Sequence, residues 1–144
     1  MGHLDASKPV HASCIAVDGK ALLILGQSGA GKSALGLSLM AMGATLVADD
    51  RVILTAHEGA VLASCPVPIR GLIEARGVGL LRAPHVQGVP VTLVVDMDKL
   101  EVERLPQRHR ITVVDQSLPL LRRVDGLHFA SALFQLMRYG RSEP

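Results

Sequence analysis

Short apolar runs separated by turn residues recur along the chain, and they predict a sheet-rich domain. Residues 14–17 (CIAV) and 21–25 (ALLIL) flank Asp18-Gly19, a pair that favours a hairpin turn. The second run is wholly aliphatic, which is typical of a strand covered on both faces. Further apolar runs predict strands at 44–50 (ATLVADD), 91–98 (VTLVVDMD) and 110–114 (RITVV), and a second hairpin within 51–65 that turns near Glu58-Gly59.

Other stretches have apolar residues at helical spacing. In SALGLSLMAMG (33–43), Leu35, Leu39 and Met42 recur on one helix face, and Gly43 is a plausible stop. The order of strand, glycine-rich loop, helix and strand is the start of an α/β unit. The stretch IRGLIEARGVGLL (69–81) predicts a short helix interrupted by Gly71, Gly77 and Gly79. The tail from Gly126 to Tyr139 predicts a final amphipathic helix, with Leu127, Ala130, Leu133, Phe134 and Met137 at helical spacing.

Composition supports one packed domain spanning residues 1–144. The chain has a mass of 15.3 kDa, and 49% of its residues are hydrophobic, which is enough for a real core. Aromatic residues are scarce, so the core is predicted to be aliphatic. Two cysteines, Cys14 and Cys65, form no CxxC pair, and we expect packed thiols in a reducing compartment.

Charge and hydropathy exclude several classes of partner. A net charge of +2, without basic runs interleaved with aromatics, argues against nucleic acid. No segment approaches the length of a membrane span, and the first residues lack the basic-then-apolar order of a signal peptide. The sequence therefore predicts a cytoplasmic protein that binds neither nucleic acid nor membrane.

A phosphate-loop pattern, G-x-x-x-x-G-K-[ST], occupies residues 26–33 (GQSGAGKS). Glycines let the backbone amides point at phosphate oxygens, and the following helix presents its positive N-terminal end to the same anion. Lys32 is expected to neutralise the β- and γ-phosphates, and the Ser33 hydroxyl to complete the coordination of Mg²⁺. The predicted nucleotide-binding residues are Gly26, Gln27, Ser28, Gly29, Ala30, Gly31, Lys32 and Ser33.

Two acidic pairs compete for the metal or catalytic role. Asp96 and Asp98 end an apolar run, as the metal-binding acid of an ordinary phosphate-loop ATPase does. Asp49 and Asp50 lie unusually soon after the loop, and adjacent carboxylates suit a division of labour between metal binding and proton transfer. Periodicity alone does not decide which of the two pairs has this role.

From about residue 8 to about residue 139, the chain resembles the catalytic domain of HPr kinase/phosphorylase. The shared features are His11 before the first strand, the GxSGxGKS loop, and a VADD motif (47–50) after a short helix. LIEARGVGLL is similar to the family's Glu-x-Arg-Gly-x-Gly core, with Glu74 and Arg76 at its start. The order of these motifs is strongly specific.

The resemblance implies an α/β fold with a P-loop-containing nucleotide-binding core of the HPr kinase and phosphoenolpyruvate carboxykinase type, in which helices flank a central mixed sheet. It implies an ATP-dependent serine kinase that uses ATP and Mg²⁺ and phosphorylates the phosphocarrier protein HPr. A second implied activity is phosphorolysis, in which inorganic phosphate attacks phosphoserine and releases pyrophosphate. A homo-oligomer is also expected.

Site roles follow from the same resemblance. Asp49 is expected to be the general base toward the serine, with His11 nearby sharing or tuning its proton. Arg76 is expected to give electrostatic support to the transferring group. Ser33 and Glu74 are expected to bind Mg²⁺ directly, and Asp50 to hold the metal's shell.

The sequence also departs from the family pattern. Ala34 stands where many members have Glu, and LPLLRRVDGLHFA (118–130) carries Arg122 and Arg123 without the family's Arg/Gly-rich loop. The resemblance covers the family's catalytic domain, so we expect a short form without the family's separate N-terminal domain. Two other functions stay open: a small P-loop ATPase or nucleotide kinase that uses Asp96, and a non-catalytic nucleotide-sensing regulator.

Overall fold

A nine-stranded mixed sheet forms the centre of the fold in the computed structural model, which describes residues 2–142. Two helices and a separate two-stranded ribbon accompany it. The strands are β1 (Gly2–Leu4), β2 (Ala12–Val17), β3 (Lys20–Leu25), β4 (Thr45–Ala48), β5 (Ile53–His57), β6 (Ala60–Ser64), β7 (Leu72–Ala75), β8 (Gly79–Arg82), β9 (Val89–Leu100), β10 (His109–Val113) and β11 (Gln116–Arg123); the helices are α1 (Lys32–Ala41) and α2 (Phe129–Tyr139).

Strand order explains where the loop and the acids meet. Seven strands follow the order β1-β10-β11-β9-β3-β2-β4, and the β5–β6 hairpin joins through β6, which pairs with β9. β9 is parallel to both β3 and β11, whereas β2 is antiparallel to its neighbours β3 and β4. The carboxyl ends of β3, β4 and β9 therefore lie at the same edge of the sheet, the usual position of ligand sites in α/β proteins.

The middle of the sheet is buried on both faces, because side chains alternate between two apolar clusters. Ile15 and Leu22 pack on the face that carries α1 and α2, whereas Cys14 and Leu23 pack on the face covered by the β5–β6 hairpin. All four side chains are fully buried. The predicted aliphatic core and the two-sided burial of β3 are confirmed.

Most predicted elements are present. Both hairpins turn where expected, with φ of 50° at Asp18 and 49° at Glu58, conformations that a following glycine completes. The final helix begins at Phe129, so Leu127 lies before it and is fully exposed. Among residues 2–142, neither helix is long and apolar enough to cross a membrane.

The helix predicted for residues 69–81 is wrong. This stretch is a short 3-10 turn ending at Ile69, followed by the β7–β8 hairpin. Ile73 is buried and its neighbour Glu74 is exposed, the period-2 alternation of a strand. Gly77 (φ 83°) forms the connecting turn in a conformation that a helix interior does not contain. Strands β1 and β11 were not predicted either.

Both cysteines are free and buried, as predicted. Cys14 lies in the core with no exposed surface, and burial raises the pKa of its thiol. Burial likewise raises the pKa of Cys65. Both side chains act as small apolar core residues.

Candidate active site

The glycine-rich loop connects the end of β3 to the start of α1. Gly26, Gly29 and Gly31 have φ values of 154°, 86° and 96°, which side chains rarely adopt. A Cβ at Gly26 would also lie 3.0 Å from the Ala30 Cβ and 3.1 Å from the Met97 Cβ. The glycines therefore permit both the path of the loop and its close packing on β9.

Free backbone donors line this loop. Within the described residues, the amides of Ser28, Gly29, Gly31 and Ser33 make no backbone hydrogen bond. The last two belong to the N-terminal end of α1, where orphan N–H groups and the helix dipole favour an anion. This arrangement suits a phosphate group.

The Lys32 side chain is nearly buried, with 6% of its surface exposed. Its ammonium donates to the carbonyl oxygens of Gly26 (2.6 Å) and Gln27 (2.9 Å). An ammonium has three donors, so one remains for a ligand in the loop. The positive charge is thus held at the loop before any ligand arrives.

Asp49 directly follows β4, and its buried carboxylate accepts hydrogen bonds from three donors. Its Oδ1 accepts hydrogen bonds from the hydroxyls of Ser13 (2.6 Å) and Ser33 (2.7 Å), and its Oδ2 accepts one from the Glu74 amide (3.0 Å). Only 7% of the residue is exposed. Asp49 therefore ties together β2, the start of α1 and the β7–β8 hairpin.

Asp50 is exposed and faces a histidine. Mutual backbone hydrogen bonds between Val10 and Val52, and one from the Ala12 amide to the Asp50 carbonyl oxygen, bring the segments of His11 and Asp50 together. His11 Nε2 lies 3.1 Å from Asp50 Oδ1, and both side chains are at least half exposed. Asp50 has a φ of 73°, a left-handed conformation that Asp tolerates better than most residues. The contact that the structure gives His11 is thus with Asp50, whereas the resemblance pairs it with Asp49.

The β7–β8 hairpin brings Glu74 to the site through its backbone. Its amide binds Asp49, and its side chain is exposed. Arg76 is exposed at the turn of the hairpin. Among residues 2–142, no hydrogen bond or ion pair links either side chain to the loop.

Of the two acids on β9, Asp98 touches the loop. Its Oδ1 and Oδ2 accept hydrogen bonds from the Gln27 amide at 3.0 and 3.1 Å. Asp96 instead accepts a hydrogen bond from the backbone amide of Asp98 at 2.9 Å. Of the two acids on β9, Asp98 is therefore the one that contacts the glycine-rich loop.

Ser13 was not predicted as a site residue, and Asp98 was predicted only as one of a competing pair with Asp96. A signal for Ser13 existed, because it is a single hydroxyl inside the apolar run ASCIAV. Asp98 follows Asp96 at the strand period of two, which predicts that both side chains lie on one face but does not choose between them.

Ser33 and Asp49 provide a fit for Mg²⁺. Mg²⁺ prefers hard oxygen ligands and usually keeps several waters, with one or two carboxylates and substrate phosphates. The Ser33 hydroxyl and the Asp49 carboxylate supply such oxygens 2.7 Å apart, beside the loop. Among residues 2–142, no three His, Cys, Asp or Glu side chains are clustered as a metal site.

Comparison with known proteins is consistent with this arrangement. Residues 2–116 match the family model described as HPr Serine kinase C-terminal domain. The HPr kinase/phosphorylase of Clostridium tetani is 38% identical over 84 residues, which cover 58% of this chain and 28% of that protein. The one from Geobacillus kaustophilus is 34% identical over 131 residues, which cover 82% of this chain and 42% of that protein.

A solved structure shares the fold. The Hpr(Ser) kinase/phosphatase from Coxiella burnetii superposes with a TM-score of 0.79, and the match covers 92% of this chain and 95% of that one. Sequence identity is 24%, so this likeness shows the fold alone. The matched segment spans between 28% and 42% of the two curated relatives' length.

Proposed function

Because the chain belongs to the HPr serine kinase C-terminal domain family, we propose that it transfers the γ-phosphate of ATP to a seryl hydroxyl of the phosphocarrier protein HPr. The observation that carries this proposal is the joining of three features at one sheet edge. These are the glycine-rich loop with Lys32, the buried Asp49–Ser33 contact, and the exposed His11–Asp50 pair.

The loop is the proposed binding site for the triphosphate. Its free amides and the third donor of Lys32 would hold phosphate oxygens. When bound, Mg²⁺ would neutralise phosphate charge beside Ser33. Asp49 holds the Ser33 hydroxyl at that position, and Glu74 is close enough through its backbone to support the same shell.

The finer proposal concerns which acid exchanges a proton with the serine. The resemblance assigns this role to Asp49, but Asp49 is buried and already accepts three hydrogen bonds. Asp50 is 65% exposed and has His11 as a partner, so a seryl hydroxyl on a protein surface could approach it. We therefore assign proton exchange to Asp50 with His11, and the support of Ser33 and the metal shell to Asp49.

A labelling experiment tests the function. The chain is incubated with [γ-³²P]ATP, Mg²⁺ and HPr, and phosphoserine on HPr is measured. We expect label with the wild type and none with Lys32→Met. ATP binding without label would favour the nucleotide-sensing regulator. ATP hydrolysis that needs no added phosphate and leaves no label on HPr would favour the small ATPase.

Matched isosteric variants test the roles of the acids. Asp50→Asn should lower kcat by about 10²–10⁴-fold, the usual contribution of a general base, with little change in Mg²⁺ dependence. Asp49→Asn should raise the Mg²⁺ concentration needed for half-maximal rate. If Asp50→Asn keeps its rate while Asp49→Asn loses it at saturating Mg²⁺, the base is Asp49.

The same assay separates the β9 acids. Asp98→Asn should raise KM for ATP, because Asp98 positions the Gln27 amide of the loop, and Asp96→Asn should have a smaller effect. Loss of turnover in Asp96→Asn alone would support the ATPase alternative. Inorganic phosphate added after labelling, with detection of pyrophosphate, measures the proposed phosphorolysis separately.

A further inference from the structure

A cavity lies at the end of the sheet opposite the glycine-rich loop. Its volume is about 520 Å³, within the usual range of small-molecule sites. Lys20, the first residue of β3, lines it, whereas the loop follows the last residue of the same strand. A six-residue strand separates the two regions by about 20 Å.

The cavity combines an apolar floor with a basic rim. Leu93, Leu121 and Leu136 contribute aliphatic surface from β9, β11 and α2. The rim contains five cationic side chains, and no acidic residue is among the described residues that line the cavity. The cationic residues are Lys20, Arg108, Arg110, Arg138 and Arg141.

Several of these charges have no carboxylate partner. Within residues 2–142, Lys20 and Arg141 make no ion pair or side-chain hydrogen bond. Arg110 donates from Nε and Nη2 to the Oγ and the backbone oxygen of Ser117, at 2.7 and 3.0 Å, and both acceptors are neutral. Like charges gathered around one cavity create a positive potential inside it.

Arg138 has an ordinary structural explanation. It forms an ion pair with Asp18 at 3.3 Å, and it lies in the last turn of α2, where a cation is favoured by the helix dipole. Lys20 and Arg110 lie on strands, so the helix end does not explain them. The remaining charge comes from β3, β10 and the segment after α2, which converge on one concave surface.

We propose that this cavity binds a small organic anion carrying two or more phosphate or carboxylate groups. The basic rim supplies charge-assisted hydrogen bonds to the anionic groups, and the aliphatic floor contacts the carbon skeleton between them. The site is distinct from the loop and is independent of the proposed kinase activity.

Titration of the ¹⁵N-labelled full chain with citrate and, separately, with inorganic tripolyphosphate tests the proposal. If the cavity recognises negative charge, either anion should change the amide chemical shifts of residues 107–110 and 138–141. A response to one anion only would identify the carboxylate or the phosphate class. Tripolyphosphate should also shift residues 26–33, and this second set reports the loop independently.

Charge removal inside and outside the cavity provides the control. The double variant Lys20→Gln/Arg141→Gln should weaken anion binding about tenfold, since each lost charge contact contributes a factor of a few. Lys8→Gln/Arg104→Gln removes the same charge from exposed positions that do not line the cavity, and it should leave the affinity within about twofold. Equal weakening in both variants, or shifts confined to residues 26–33, would overturn the proposal.

Discussion

Ser13→Ala tests whether the buried carboxylate organises the site. The Ser13 hydroxyl lies 2.6 Å from Asp49 Oδ1, and Ser13 is 1% exposed. Alanine fits the space and removes the donor without leaving a new unsatisfied group on residue 13. Asp49 keeps its bonds from Ser33 and Glu74 but loses one of its three donors.

The expected cost is set by the charge of the acceptor. A hydrogen bond to a charged group contributes about 1.5–3 kcal/mol, and burial of both partners places this bond within that range. With an m-value of about 2 kcal/mol/M, the urea midpoint should fall by about 1 M. A loss of about 1.5–3 kcal/mol is a large share of the roughly 5–15 kcal/mol by which a typical domain is stable.

Urea unfolding of wild type, Ser13→Ala, Asp49→Asn and the double variant measures the coupling directly. Ser117→Ala is the matched control, because its hydroxyl accepts from an exposed Arg110 and its loss should cost under about 0.5 kcal/mol. A coupling between Ser13 and Asp49 below about 0.5 kcal/mol would refute the reasoning. Ser13→Ala should also retain the Mg²⁺ dependence of nucleotide binding.

Three further predictions concern backbone and burial. Gly26→Ala should abolish nucleotide binding measured by calorimetry, since the new Cβ would lie 3.1 Å from that of Met97 and φ is 154°; unchanged affinity would contradict this. Gly36→Ala should raise the free energy of unfolding by up to about 1 kcal/mol, because its Cβ would make ordinary contact with Ile73 at 3.6 Å inside a helix. Burial raises the pKa of Cys14 above its ordinary 9.0, so the neutral thiol's contribution to the free energy of unfolding is complete below pH 9. As the pH rises further, this contribution falls by up to about 1.4 kcal/mol per pH unit, because the unfolded chain releases the thiol proton first. Between pH 8 and 10.5, the free energy of unfolding should therefore fall more steeply in wild type than in Cys14→Ala.

The sequence was informative where chemistry and local geometry agree. ALLIL followed by GQSGAGKS predicts a buried strand, a glycine turn and a helix, because aliphatic residues, glycine and helix formers each restrict the backbone in a known way. Asp18-Gly19 and Glu58-Gly59 similarly predicted two hairpins, since both positions need positive φ.

The prediction failed where glycine was open to two interpretations. In IRGLIEARGVGLL, the apolar spacing predicts a helix that glycines interrupt, whereas Gly77 forms a turn between two short strands. The stretch is too short for periodicity to decide between a helix and a hairpin. Packing of Ile73 against α1 and the bond from the Glu74 amide to Asp49 stabilise the hairpin, and both partners are distant in sequence.

By itself, then, the sequence determined the phosphate-loop pattern, the aliphatic core and the presence of two acidic pairs that follow apolar runs. Only the tertiary structure decided what each acid contacts: Asp49 with Ser13 and Ser33, Asp50 with His11, and Asp98 with the loop. Adjacent residues at a strand end project in different directions. The partners of these acids come from β2, α1 and β9, and the order of strands in the sheet brings these elements together. Contacts between distant segments depend on that order, and local patterns do not encode it.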